Sequence, residues 1–199
     1  GGGEIAPEML GRIDLNHYQT GLETCSNFYP LPHGPVVNRP GFEFIKEVKN
    51  GGTALPRLIP FIFNTDQAYT LEFGNLYMRV HTEGATVLNA SKTISGATKA
   101  SPCVITATSH GYTNGDEVYI SSVGGMTELN GRYFKVKSVT THTFELTDLQ
   151  DNNLDSSGYT TYTSGGTSAS VFELVTTYAT ADLFQLSYAQ SSDVMTIVH

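Results

Sequence analysis

The chain has 199 residues, 39% of them hydrophobic and 15% charged, which is enough for one domain or two small ones at about 100 to 200 residues each. Its net charge is −8 and its 11 basic residues are scattered, which argues against a nucleic-acid grip built on clustered Lys and Arg. No apolar run approaches the roughly 20 residues of a membrane-spanning helix and no basic-then-apolar leader opens the sequence, so the chain reads as soluble and without an export signal.

In chain order, Gly1, Gly2 and Gly3 read as a flexible arm, a truncation point or a cloning remnant. Asp14 is placed to cap a short turn through Tyr18, and Thr20 with Glu23 makes a capping box for a second short helix ending near Asn27. Pro30, Pro32, Gly34 and Pro35 then force an extended or turning path, because proline lacks the amide donor and restricts the residue before it. Strands are expected at 36–38, 42–48, 57–63 and 69–73, the last pairing with 76–81 across Gly74-Asn75. Residues 86–101 and 148–168 are small and polar, as suits connections that bury little. Strands follow at 170–178, 184–189 and 194–198, with a short turn capped by Thr180 between the first two; the apolar strand at the end predicts that the chain is a fragment of a longer protein.

Between the two polar stretches lies a run with its own period-two pattern. Ile105 and Ala107 alternate with Val104, Thr106 and Thr108; Val118 and Ile120 share a face; Phe134 and Val136 oppose Lys135 and Lys137; Phe144 and Leu146 close the run. Turn signals at Asn114-Gly115-Asp116, Gly124-Gly125 and Asn130-Gly131 divide it, and Asn130-Gly131 is the strongest hairpin signal in the chain. The predicted fold is mostly antiparallel β: a discontinuous domain of residues 1–98 and 169–199 with short N-terminal helices, and a small barrel-like module at 99–168 inserted between its halves.

Ser109-His110-Gly111-Tyr112, Gly115-Asp116, Gly124-Gly125-Met126, Leu129-Asn130-Gly131 and Thr143-Phe144 resemble the small β domain named after the first catalytic cysteine half-domain of ubiquitin-activating enzyme. Such modules also occur as insertions in tail proteins of bacterial viruses. Nothing here resembles an adenylation site or a thioester cysteine. Cys25 and Cys103 lie far apart in no CxxC and read as two reduced structural thiols.

A second resemblance covers the flanks. Glu4-Ile5-Ala6-Pro7, Gly11-Arg12-Ile13-Asp14, Leu31-Pro32-His33-Gly34, Asn38-Arg39-Pro40-Gly41, Arg57-Leu58-Ile59-Pro60-Phe61 and Leu71-Glu72-Phe73-Gly74 are similar to the N-terminal part of the tail nozzle protein, or tail tubular protein B, of short-tailed bacterial viruses and prophages. The likeness resumes at Tyr178, Ala181-Asp182-Leu183, Leu186, Tyr188 and Asp193-Val194 through His199. The resemblance implies a structural virion protein in a ring, expected to be a hexamer, that contacts the head–tail adaptor and tail fibres and passes DNA without gripping it. Its expected location is the virion tail, after assembly in the bacterial cytoplasm, with no cofactor and no membrane insertion.

Candidate chemistry is thin. His110 beside Asp116, and His33 near Arg39, suggest acid–base work, but no G-x-S-x-G, H-E-x-x-H or matched cysteine accompanies them. Tight turns explain both better. Asp151, Asn153 and Asp155 alternate like the first ligands of a calcium loop, yet Ser156 stands where the loop needs Gly and Tyr162 where it needs Glu, so a solvated loop is expected. Arg39 and Arg57 are expected to pair with carboxylates or snorkel. No residue is assigned a catalytic, cofactor-binding or metal role, and an enzyme is not expected. The competing expectation is a receptor- or glycan-binding tail module using Tyr112, Tyr119, Tyr159 and Tyr162 as platforms.

Overall fold

A computed structural model describes residues 3–49, 54–64 and 67–199. The chain is mostly β, with antiparallel sheets and a few short helices, and it divides into two compact units, Gly1–Phe44 and Ile45–His199.

In the first unit a 3-10 turn at Pro7–Met9 starts on a proline, whose missing N–H is no loss at a helix start, and α1 spans Asn16–Thr20. Asp14 does not cap α1: it forms an exposed ion pair with Arg12 at 2.7 Å. No helix forms between Gly21 and Asn27. Instead Leu22 bridges Glu4, and the Glu4 carboxylate accepts from the Cys25 amide at 2.9 Å, so the acidic partner for this turn comes from 21 residues upstream and not from Glu23. A hairpin closes the unit, β1 (Phe28–Pro30) against β2 (Val36–Asn38), its proline-rich loop tied by Leu31 donating to the Pro35 carbonyl at 2.8 Å. None of the residues described in this unit is buried.

In the second unit, residues 45–48 form no ladder, although a strand was expected across 42–48; side chains, described below, hold this segment. The chain then runs through β3 (Arg57–Ile62), β4 (Ala68–Gly74), β5 (Tyr77–Thr82) and the short β6 (Ala85–Thr86), paired in sequence order. The tight loop between β4 and β5 is Asn75-Leu76, one residue later than expected, because Leu76 takes the left-handed conformation and exchanges backbone hydrogen bonds with Thr176 and Tyr178. Gly74 is then required for space: a Cβ there would overlap the Tyr77 ring.

The stretch expected to be a polar connection instead enters a second sheet. β7 (Lys92–Thr93), β8 (Gly96–Ala97), β9 (Val104–Thr106), β10 (Glu117–Gly124), β11 (Arg132–Lys137), β12 (Thr143–Thr147) and β13 (Ser164–Ser170) form a seven-stranded antiparallel sheet in the order β7-β13-β10-β11-β12-β9-β8, curled into a half barrel. Ile105, Val118, Ile120, Phe134, Phe144 and Leu146 are fully buried inside it, on the face the alternation predicts. Asn130-Gly131 is not a two-residue turn. Asn130 is extended, and its side chain accepts from the Val123 amide at 2.8 Å and donates to the Val123 carbonyl at 3.0 Å, imitating a strand partner at the mouth of a longer loop.

The chain returns through β14 (Glu173–Val175), which pairs with β5 to complete the order β14-β5-β4-β3. A 3-10 turn at Leu183–Gln185 and the hairpin β15 (Ser187–Ser191) with β16 (Val194–Val198) follow. Period-two geometry gives this sheet two different faces. Ile59 and Phe73 pack with Leu183 and Leu186, with Leu71, Met78, Met195 and Ile197 around them. The alternate residues Glu72, Arg79 and Glu173 lie in register on the opposite face.

The two sheets are joined by a two-stranded ribbon. Phe172 donates to the Val87 carbonyl at 2.9 Å, Leu88 bridges Val171, Asn89 donates to the Ser170 carbonyl at 2.8 Å, and β7 continues the pairing on β13.

Candidate functional site

The feature with the highest density of buried charge lies where the polar face of the five-stranded sheet meets the half barrel. Arg79 comes from the middle of β5 and Glu117 from the first position of β10, and both side chains are nearly sealed from solvent, at 2% and 1% exposure. A charge buried this deeply persists only if paired. One Arg79 nitrogen donates to Glu117 at 3.0 Å, and its Nε donates to Glu173 at 2.9 Å. Lys46, from the segment before the sheet, donates to the same Glu117 oxygen, and Lys49 pairs with the other Glu173 oxygen. Three cations thus share two carboxylates.

That sharing sets the titration of each group. Burial pushes the Glu117 carboxyl up, but Arg79 and Lys46 together more than offset it and hold it below the ordinary carboxylate range. Burial pushes Lys46 down, and Glu117 only partly restores it because Arg79 repels it, so its ammonium stays below the ordinary lysine value. Beside this cluster, Glu72 accepts from the Tyr77 hydroxyl at 2.8 Å and from His81 Nε2 at 3.0 Å. Burial raises the Glu72 carboxyl, and these two donors bring it below the usual value. Arg79 and Lys49 also sit about 5 Å from the Tyr77 ring, at 5.2 and 5.1 Å, a cation–π arrangement. An open polar cleft of about 210 Å³ adjoins the cluster, lined by Lys49, Arg79, Asn89, Asp116, Ser170 and Glu173. All of the cluster's charged groups already satisfy one another, so the arrangement is suited to holding elements together.

The residues singled out by sequence are distributed elsewhere. His110 is buried in the half barrel, its Nδ1 accepting from the Tyr112 amide at 3.0 Å and its ring against Tyr112 and Phe144. Asp116 takes the Thr113 amide and hydroxyl at 2.8 and 2.9 Å. Each closes its own turn. Arg39 stacks on Phe42, 4.7 Å from the ring centre, and Arg57 donates to the carbonyls of Leu183 and Leu186 at 2.8 and 2.5 Å, so among the described residues neither takes a carboxylate, one of the two roles expected of them. Asp151 pairs with Lys135 at 3.0 Å, Asn153 bridges Thr147 and Asp155 accepts from the Ser157 amide, so the three do not converge on a common point. Among the described residues no group of three or more His, Cys, Asp or Glu is arranged to hold a metal ion. Of the tyrosine platforms, Tyr112 is a core residue whose hydroxyl donates to the Ser168 carbonyl at 2.9 Å. Tyr119, Tyr159 and Tyr162 are half-buried.

The half barrel defines the class of its part of the chain. Residues 101–171 match the family model of the ubiquitin-activating enzyme E1 FCCH domain, a stretch shorter than half the chain that spans β9 to β13. Comparison with curated proteins gives no match. Cys103, the one cysteine within the matched stretch, is fully buried, and burial pushes its thiol up, away from the reactive thiolate.

Proposed function

We propose that the chain is a structural component of a viral tail nozzle: a β scaffold that assembles into a ring, carries an FCCH-like module on its body and lets DNA pass. The observation that supports this best is the meeting of the two sequence blocks that resemble the nozzle family. Ile59 and Phe73, from the block before the module, share one core with Leu183 and Leu186 from the block after it, and Arg57 bonds the carbonyls of both leucines. A family pattern split by an insertion requires its halves to complete each other in this way. The net charge of −8 suits a conduit, since a surface that repels phosphates does not retain the passing genome.

The partners in this reading are other copies of the chain, the adaptor above and the tail fibres beside. Gold-labelled antibodies against residues 101–171, applied to intact short-tailed particles from the source strain, test it. Label on the tail is expected; particles that carry no label contradict it. A glycan-binding role would rest on Tyr119, Tyr159 and Tyr162 alone, since Tyr112 is unavailable; loss of glycan-array binding on changing these three to Ala, with the tail unlabelled, would favour that role.

A further inference from the structure

We propose that residues 45–49 are a latch that locks the FCCH-like module to the five-stranded sheet, and that without it the two-stranded ribbon and the remaining sheet-to-module contacts, Arg79 to Glu117 among them, no longer fix the module's orientation. Four observations converge on this. The segment has no ladder pairing of its own, so its position is set by side chains. Its polar side chains reach both bodies: Lys46 goes to Glu117 at the start of β10 and Glu47 accepts from Gln150 at 2.9 Å, both in the module, while Lys49 goes to Glu173 of β14 in the sheet. Arg79 spans the same gap from the sheet side, bonding both Glu117 and Glu173. The ribbon is only two strands wide where Leu88 bridges Val171, and the cleft beside it leaves the junction unfilled.

Two strands resist bending weakly, since a lone pair has no packed layer behind it. The charged cluster therefore supplies the second point of attachment that fixes an angle. Lys46 and Glu117 are 71 residues apart and Lys49 and Glu173 are 124 apart, so the latch closes across the whole insertion.

Spin labels at Lys137→Cys on the module and Asn75→Cys on the sheet turn, in a Cys25→Ser background, report the angle through pulsed electron–electron distance measurements. Both positions are exposed, and Cys103 is buried and stays unlabelled. The parent chain should give one narrow distance peak. Glu117→Gln, and separately Lys46→Met, in which Arg79 still neutralises Glu117, should lose that single peak while Cys103 remains protected from thiol reagents, and Lys46→Arg should restore it. A narrow, unshifted peak in Lys46→Met overturns the proposal. So does exposure of Cys103 in both variants, because the cluster would then support the module's fold and not its orientation.

Discussion

At Asn130 the chain reverses as the Asn-Gly pair predicts, but not through the two-residue turn that pair favours. Asn-Gly favours a two-residue turn because both residues tolerate positive φ, yet only Gly131 adopts it, at +75°. The Asn130 side chain pairs with both backbone groups of Val123, so Asn130→Ala should cost about 1 to 3 kcal/mol by leaving part-buried backbone polar groups without partners. Urea unfolding measures this, and an unchanged midpoint would show that water replaces the amide. Gly74 makes a second case. Ala at this position must displace the Tyr77 ring and with it the bond from Tyr77 to Glu72, so Gly74→Ala should destabilise by about 1 to 3 kcal/mol. The double variant with Tyr77→Phe should lose less than the sum of the two single changes.

At the scale of elements, alternation and turn residues located the central strands of the half barrel, β9 to β12, where Ile105, Val118, Phe134 and Leu146 point inward as period two predicts, but not β7, β8 or β13, which lie largely in stretches that read as polar connections. The same rule could not find the charged cluster. Arg79 and Glu117 occupy positions that alternation assigns to solvent, and what buries them arrives from 38 and 71 residues away, a separation that local pattern does not carry. The ribbon was hidden for a related reason: its residues are small and polar, as loops are, and only pairing between 86–94 and 166–173 turns them into structure. The cluster makes a pH prediction. The folded Glu117 carboxyl sits below its unfolded value near 4.5, so its contribution is complete above that pH and is lost as pH falls through the folded value. Arg79, Lys46 and Tyr133 face it, and Glu173 and Glu72 act on its partners Arg79 and Lys46. Glu117→Gln leaves two buried cations short of an anion and should cost about 3 to 5 kcal/mol at neutral pH. Between neutral pH and pH 3, the unfolding midpoint of the variant should fall less than that of the parent; an equal fall assigns the acid sensitivity to other carboxylates.

For the whole molecule, the proposed nozzle role requires an assembly that encloses DNA without holding it, and the net charge of −8 is compatible with that proposal. Short duplex DNA should bind the chain with no measurable affinity at physiological salt, and tight, salt-sensitive binding would contradict an open conduit. Fold class was legible from strand pattern and turn residues, whereas the proposed assembly rests on resemblance alone, because the surfaces that would make it depend on partners outside the chain. The most direct measurement is electron microscopy of the protein, alone and with the proposed adaptor, at micromolar concentration. Closed rings with an open centre, sixfold in projection, are the predicted result; a population of single chains under both conditions would contradict the nozzle account.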